Sequence, residues 1–487
     1  MFAFPPFPHL PFSLDAMPLP SLPPRLRLLN LLLLFLLLLA LATGCATVRE
    51  ARQLQREDHA PPPGERTVTA EEAGITQGRI LTLTQLEQIA LRYQPSLYQM
   101  RLEVEKARLS LANARAGSLP SLSSSLSHSR STQNTDPHRE STRNRGNYSG
   151  GLNLSLTLYD FGRTAAEVRQ AQDSLSASLK SLEEQEADTL YQVRQNYFQL
   201  CRAMELHAVA QEAVDQYRDH WEQMKTKRSV GSSTEYDVLK AEVDYQQARL
   251  KEITTANDVS LGWADLNRSL GLTQVPEYQL GECHLPEYPQ SVPELMTLAR
   301  ESSPTLAALR YRVQVASGAL DEAIADLYPN LSLSLGGSVS GRNPGLPWLW
   351  NLNGGLSLGQ TLFQGGRLTN AIRQAMLSLQ IARSSYADGA QSIFRALTSA
   401  VLTSARARLS QEVADLAAQA AQRNLEIVNE KFRNGKATSV DRTDAQVSYS
   451  SAKAEAVNAR FDYLEAQAAI ANLLGDTSQP GQAPSAP

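Results

Sequence analysis

Apolar and polar residues alternate along four nearly uncharged stretches of the chain, which lie in two pairs. The alternation is strict over 152–159 and 330–340, looser over 352–363 and weakest over 120–129. A period of two turns the apolar side chains of a strand to one face and the polar ones to the other. The polar faces carry Ser, Thr, Asn and Gly, and each stretch has about ten residues. Both features favour strands of an outer-membrane barrel over surface hairpins in water.

A second pattern, with apolar residues every three or four positions, begins after each pair of strands. It covers residues 165–204 and returns over 368–434. This spacing is typical of a coiled-coil seam. Neither proline nor glycine occurs between Arg163 and Gly231. We therefore expect a helix of about 65 residues, on the order of 100 Å long.

Shorter helical patterns flank these features. One covers residues 84–117, before the first pair of strands, and another covers 234–270, after the glycine turn. Their lengths, about 34 and 37 residues, add up to nearly that of the long helix. We expect the two short helices to stack end to end beside the long one. The result would be a hollow helical cylinder that continues from the barrel.

The order helix, two strands, long helix, glycine turn, helix occurs twice. The matching positions are Pro95 and Pro304, Pro120 and Pro329, Arg163 and Arg367, Gly231 and Gly435, and Gly271 and Gly475. The first two pairs are 209 residues apart and the others 204. A fixed period of this kind indicates repeated structural units. We predict two internal repeats, over 80–271 and 293–475, joined by a Pro-containing linker over 272–292.

Four strands cannot close a barrel. An open sheet edge in lipid leaves backbone groups unsatisfied at several kcal/mol each, so the protein must form oligomers. Two copies would give about eight strands, a barrel filled by side chains, and three would give about twelve. The charged segment 129–147 is expected to be a loop on the outer side of the membrane.

The N-terminus predicts export from the cytoplasm. After a Pro-rich leader, two arginines precede an apolar run and small residues before Cys45. The run is short for a membrane-spanning helix, which favours a signal peptide over residues 1–44, with Met1 or Met17 as its start. The sequence ATGC resembles the lipobox of bacterial lipoproteins. That resemblance implies a lipid on Cys45, and the absence of Asp after it fits the outer membrane.

Composition narrows the function. The net charge of −4 does not suggest a nucleic-acid partner, and 6% aromatic residues suit long packed helices. Cys201 and Cys283 have no metal-binding spacing and are either free thiols or a disulfide. No nucleophile–base set, phosphate loop or metal cluster occurs, so we expect neither an enzyme nor a cofactor beyond the lipid.

The ordered set of features resembles the TolC-like outer-membrane efflux proteins over about residues 80–475. The resemblance rests on the motifs YDFGR and FQGGR after the strands and on the turn sequences VGSSTEYDVLKAEVDY and NGKATSVDRTDAQVSY. The resemblance implies a mainly α homotrimer with a membrane β-barrel of about twelve strands, four from each protomer, continued by a long α-helical coiled-coil barrel. The lipobox suggests the lipidated branch, which serves resistance-nodulation-division pumps. Expected partners are such an inner-membrane pump, a periplasmic adaptor and outer-membrane lipid.

The resemblance also assigns residues at the two turns. Asp441 and Asp444 match the aspartates that ring the narrow periplasmic aperture, although acids also favour a helix N-terminus for capping. Asp237 and Lys240 stand there in the first repeat. The residues expected at the tip turns, in contact with the adaptor, are Gly231, Asp237, Gly435 and Lys436. Relatives carry a basic residue where this chain has Ala437.

The sequence leads first to a passive outer-membrane duct of a tripartite efflux system. The alternatives are the outer-membrane component of type I protein secretion, a periplasmic adaptor lipoprotein, and an envelope-spanning tether. The remaining segments are expected to be a lipidated linker over 45–79 and a disordered tail over 476–487. The substrate does not follow from the sequence.

Overall fold

The computed structural model describes residues 47–48, 51, 68–69, 71–75, 78–134, 142–273, 278–281, 288–289, 291–341 and 349–476. Two compact units divide the chain, Met1–Pro62 and Pro63–Pro487, and every element named below belongs to the second. The predicted signal peptide, Cys45 and Cys283 lie outside the described residues. In the described part, no helix combines the length and the hydropathy that crossing a bilayer requires.

The fold is mainly helical, as predicted. In chain order, the elements are β1 (Ile80–Leu81), α1 (Leu83–Tyr93), α2 (Pro95–Ala116), β2 (Ser121–Asn134), β3 (Thr142–Tyr159), α3 (Arg163–Ser229), α4 (Glu235–Ser269), β4 (Gln279–Leu280), α5 (Val292–Ser302), α6 (Pro304–Ala325), β5 (Asn330–Gly341), β6 (Leu349–Gly359), α7 (Arg367–Arg433) and α8 (Ser439–Leu474). The two long helices, α3 and α7, have 67 residues each. They are therefore about 100 Å long.

One antiparallel sheet contains the alternating stretches, in the order β2-β3-β5-β6. Leucines lie on one face, where Leu154 pairs with Leu335. Serines lie on the other, where Ser121 pairs with Ser155. Because β2 and β6 are the edge strands, each has one row of backbone groups without a strand partner in the described chain.

The first pair of strands is longer than predicted. The charged segment expected to be a loop over 129–147 is partly sheet, since β2 continues to Asn134 and β3 begins at Thr142. The register is unbroken from Ser121–Ser155 to Asn134–Thr142. Backbone pairing can continue past the leucines because a ladder bonds main-chain groups regardless of side-chain polarity.

The helix predicted over 84–117 is in fact two helices. The first ends at Tyr93 and the second begins at Pro95, with Gln94 in an extended conformation at ψ 121°. Proline at the first position of a helix disfavours helical geometry in the residue before it. The chain bends again in the same way at Ser303, before Pro304.

The short helices meet end to end beside the long ones. Gly271, just after α4, faces the backbone of Tyr93, just before α2. Gly475, just after α8, faces Pro304 at the start of α6. Both glycines have left-handed φ angles, +77° and +69°. Each long helix is therefore accompanied along its length by two shorter ones, as the sequence predicts.

The helices follow a simple lateral order. In the half far from the sheet, α3 lies between α4 and α8, and α7 packs on the other side of α8. Near the sheet, α3 lies between α2 and α6, and α7 packs against α6. α2 and α4 therefore form one edge of the unit and α7 the other. Exposed leucines occur on both edges: Leu109, Leu250, Leu261, Leu402, Leu409 and Leu416.

The main core lies midway along the helices. It is built around Tyr197, Phe198 and Leu266, none more than 2% exposed. The β1–β4 pair covers this core and was not predicted, because two-residue strands have no periodicity to detect. A buried ion pair joins α1 to α3 in the same region, with 2.6 Å between Glu87 Oε1 and Arg194 Nε.

Candidate functional site

The two glycine turns end the long helices in the same way. Gly231 has a φ of +75° and Gly435 a φ of +70°. After each glycine, the next amide donates back to the long helix, from Ser232 to the Lys227 carbonyl and from Lys436 to the Lys431 carbonyl, both at 2.8 Å. This six-to-one bond with a left-handed glycine is the Schellman motif. The predicted helix reversals at both glycines are present.

A capping box begins the helix after each turn. Asp237 Oδ2 accepts from the Thr234 amide at 3.1 Å, and the Asp237 amide donates to Thr234 Oγ1 at 3.2 Å. Asp441 and Thr438 make the same bonds at 2.8 and 3.1 Å. Two amides that lack partners at a helix start are thereby satisfied. Asp441 has the capping role that the sequence left open beside the aperture role.

Hydrogen bonds to these carboxylates keep them ionised. Donation from the Thr438 amide and hydroxyl lowers the pKa of Asp441, and donation from Thr234 does the same for Asp237. Asp444 lies one helical turn after Asp441, is exposed, and makes no hydrogen bond or ion pair in the described part of the chain. Of the two predicted aperture residues, Asp444 is the one whose carboxylate is uncommitted.

The residues assigned to the second turn differ in environment. Lys436 is exposed and makes no ion pair within the described residues. Ala437, which replaces the basic residue of relatives, packs against an apolar cluster of Met224, Val238, Ala241 and Phe432. Phe432 comes from α7, whereas the other three come from α3 and α4. The cluster therefore joins the second turn to the first.

A polar cluster next to it makes the same connection. Arg442, between the two aspartates, donates from Nη1 to His220 Nδ1 at 3.0 Å and to Gln223 Oε1 at 2.8 Å, both on α3. Its Nε donates to Asn429 Oδ1 on α7 at 2.9 Å. One guanidinium thus bridges three helices and holds the start of α8, with Asp441 and Asp444, against α3.

His220 is held neutral in this cluster. Arg442 can only donate, so Nδ1 of His220 accepts and Nε2–H donates to Ser439 Oγ at 2.9 Å. Burial, then the charges of Arg442, Lys227 and Lys240, lower the pKa of His220 from 6.5 to about 4. The ammonium of Lys227 also lies 3.8 Å from the ring centre of Phe432. Protonation of His220 would put a fourth cation in this cluster.

We expect low pH to reduce the stability of the helix ends around His220 and Arg442. Because the pKa of folded His220, about 4, lies below the unfolded value near 6.5, its contribution is complete above pH 6.5 and is lost as the pH falls towards 4. Melting temperatures measured from pH 7.5 to 4.5 test this with His220→Gln, whose amide can accept and donate in the same places without titrating. The variant should lose less stability than the wild-type chain over this range. Equal losses would contradict the assignment.

Sequence patterns did not reveal this cluster. His220 is one of seven histidines scattered along the sequence, and nothing in the pattern singled out Arg442. A histidine at an apolar seam position, between Val214 and Met224, was the available signal. Its partner is 222 residues away, so only the packing of α8 on α3 brings the two together. The described residues contain no group of His, Cys, Asp or Glu side chains placed to hold a metal ion.

Relatives of known type share both sequence and fold. The Outer membrane efflux protein family matches residues 86–272 and 295–476. Outer membrane efflux protein BepC of Brucella suis is 24% identical over 331 residues, 67% of this chain and 71% of the relative. Alkaline protease secretion protein AprF of Pseudomonas aeruginosa is 24% identical over 399 residues, 80% of this chain and 83% of the relative.

The fold also has solved counterparts. The CmeC outer membrane channel of Campylobacter jejuni superposes with a TM-score of 0.72 at 19% identity, over 82% of this chain and 87% of that one. This similarity concerns the fold. The family follows from the sequence match, whose two ranges correspond to the two repeats and together cover most of the chain. The resemblance found in the sequence is confirmed: the chain belongs to the Outer membrane efflux protein family.

Proposed function

We propose that the protein is the outer-membrane channel of a tripartite efflux system, a passive exit duct for small molecules. One observation carries the proposal: a sheet with a leucine face and a serine face stands at one end of two helices about 100 Å long. The sheet suits lipid on one side and a watery lumen on the other. The helices have the length to extend deep into the periplasm.

The two open edges favour a ring of copies. In the sheet the edges are β2 and β6, and among the helices they are α2 with α4 on one side and α7 on the other. Two different edges that fit each other generate a closed ring when the rotation allows it. Three copies supply about twelve strands, which would leave a lumen, and we propose this homotrimer with two repeats in each chain.

The protein partners are proposed from the position of the two glycine turns and from the resemblance to the family. The turns at Gly231 and Gly435 are the ends farthest from the sheet, so a periplasmic adaptor and an inner-membrane pump would meet the duct there. The pump is proposed to be of the resistance-nodulation-division type. Asp441 and Asp444 of three copies would ring the aperture and favour cations.

A second candidate is the outer-membrane component of type I protein secretion. The similarity to an alkaline protease secretion protein over 80% of the chain favours it. Both candidates are transport functions without a catalytic step or a cofactor. They differ in cargo, and the same duct geometry serves both.

A lipid on Cys45 would add an anchor in the outer membrane. We propose cleavage after residue 44, a lipidated linker over 45–79 and a tail after the second repeat. The mass of the N-terminal peptide of the mature protein tests the modification. An unmodified Cys45 thiol would rule it out.

The function is tested with protein extracted from outer membranes in detergent. Light scattering should give the mass of three chains, and planar bilayers should show stable cation-selective pores. In a strain without its own channel, co-expression with an efflux pump and adaptor should restore dye export. Export of a protease instead of dye, with type I partners, would favour the second candidate, and a monomer without conductance would overturn both.

A further inference from the structure

Polar contacts hold α3 to α8 along the half of the unit far from the sheet. The pairs, from the core to the tip, are Asp188 with Asn472, Arg202 with Asp462 and Glu465, Glu205 with Arg460, Glu212 with Lys453, and His220 with Arg442. Arg202 Nη2 lies 2.9 Å from Asp462 Oδ1 and 3.0 Å from Glu465 Oε1. This seam joins the first half of the chain to the second.

The described part of one copy contains no matching seam between α7 and α4. α7 has the length of α3, and α4 has nearly that of α8, with every corresponding residue 204 positions apart. Among the described residues, α7 packs against α8, α6 and α5, and α4 packs against α3, so the face of α7 that corresponds to the α8-contacting face of α3 is open. In the proposed ring of copies, α4 of the next copy would lie beside α7 as α8 lies beside α3.

The correspondence names the residues of that second seam. Arg202 corresponds to Arg406, Asp462 to Asp258 and Glu465 to Leu261. Arg406 and Asp258 are both exposed, and neither makes an ion pair or hydrogen bond in the described part of the chain. Two unpaired residues of opposite charge thus stand at the positions that pair across the seam inside the chain.

Several of the other polar partners correspond to exposed apolar residues, whereas Lys453 corresponds to Arg249 and His220 to Asn424. Glu205 corresponds to Leu409, Glu212 to Leu416 and Gln223 to Ile427, and these three α7 side chains are 64%, 61% and 53% exposed. On the α4 side, Leu261 is 63% exposed and replaces a carboxylate. Burying such side chains stabilises an interface because it removes apolar surface from water.

From these correspondences, and resting on the proposed ring, we propose that α7 of one copy packs against α4 of the next through a seam of apolar contacts around an ion pair, Arg406 with Asp258 of the partner subunit. The tunnel wall then alternates between two kinds of seam. The seam within a copy is polar, with its charges paired through the fold. The seam between copies has apolar side chains in place of several of those charges, and its ion pair fixes which residues face each other.

Charge reversal tests the pairing. Arg406→Glu and Asp258→Arg each place like charges across the seam, and facing like charges destabilise an interface. Each should increase dissociation of the oligomer in detergent roughly tenfold or more, and the double variant should return it close to the wild-type level. Arg408→Glu is the matched control, because Arg408 is an exposed arginine on the same helix whose counterpart, Met204, makes no contact in the polar seam.

Cross-linking gives a second, independent readout. In a chain with Cys201→Ser and Cys283→Ser, the pair Arg406→Cys and Asp258→Cys should react with a short bis-maleimide to give products of two and three chains. The pair Arg202→Cys and Asp462→Cys in the same background should give only a cross-link within one chain. The chain that carries only Cys201→Ser and Cys283→Ser controls for reaction at Cys45.

The outcomes separate this proposal from the proposed function. If the oligomer and its conductance persist but neither rescue nor intermolecular cross-linking occurs, the seam is wrong while the duct stands. If the wild-type chain itself forms no oligomer, the proposed duct fails first. Rescue together with intermolecular products would establish the contact.

Discussion

Replacing Gly271 with valine is expected to remove nearly all folded protein. Gly271 has a φ of +77°, and a Cβ there would lie 2.7 Å from the Tyr93 carbonyl oxygen and 3.1 Å from its carbon. The left-handed conformation alone costs a side chain roughly 1–2 kcal/mol. The collision is with backbone at the junction of two helices, which cannot move aside without breaking the stack of α4 on α2. An ordinary domain is stabilised by only ~5–15 kcal/mol, so this strain and the collision together should leave little folded protein.

Gly231→Val is the matched control. Gly231 has nearly the same φ, +75°, but a Cβ there meets nothing within 4 Å. The Gly231→Val variant should therefore lose only the roughly 1–2 kcal/mol that the left-handed conformation costs a side chain, and it should still fold. The yield of detergent-extracted oligomer and its melting temperature measure both variants. Equal losses for the two would show that φ, and not the contact with Tyr93, sets the requirement at Gly271.

Replacing both Asp441 and Asp444 with asparagine is expected to abolish most of the cation selectivity of the pore. A ring of carboxylates at a constriction attracts cations, and three copies would lose six negative charges together. Asparagine is chosen because its side-chain oxygen can still accept from the Thr438 amide, as Asp441 does at 2.8 Å. Alanine would also remove this cap, so a change in conductance would have two explanations. Reversal potentials in a salt gradient measure the effect.

Single substitutions at each aspartate, and one in the first turn, show which carboxylate sets the selectivity. Asp444→Asn should account for more of the loss than Asp441→Asn, because only the Asp441 carboxylate is committed to a capping box. Asp237→Asn removes the equivalent capping acid of the first turn and should leave selectivity near the wild-type value. A loss for Asp237→Asn as large as for the double variant would place the constriction at the first turn.

Much of the fold could be predicted from the sequence because its signals are local. Period-two leucines mark β3 and β5, long seams mark α3 and α7, and Gly231 and Gly435 mark the turns. The Thr–Asp spacing at 234 and 438 could also have identified both capping boxes. The prediction failed where a local signal was misread, since Pro95 divides a helix that looked continuous. It also failed where charge in 129–147 was taken to end the strands.

The sequence by itself determined the elements, their order and their duplication, because periodicity, proline, glycine and capping residues act within a few positions along the chain. Only the tertiary structure decided which residues meet across helices. Arg442 meets His220, Gly271 meets Tyr93, and Arg202 meets Asp462 because long helices with fixed registers lie side by side. Such contacts join residues up to 284 positions apart, and no local pattern encodes them. The roles proposed for the tip and for the seam between copies depend on these distant contacts.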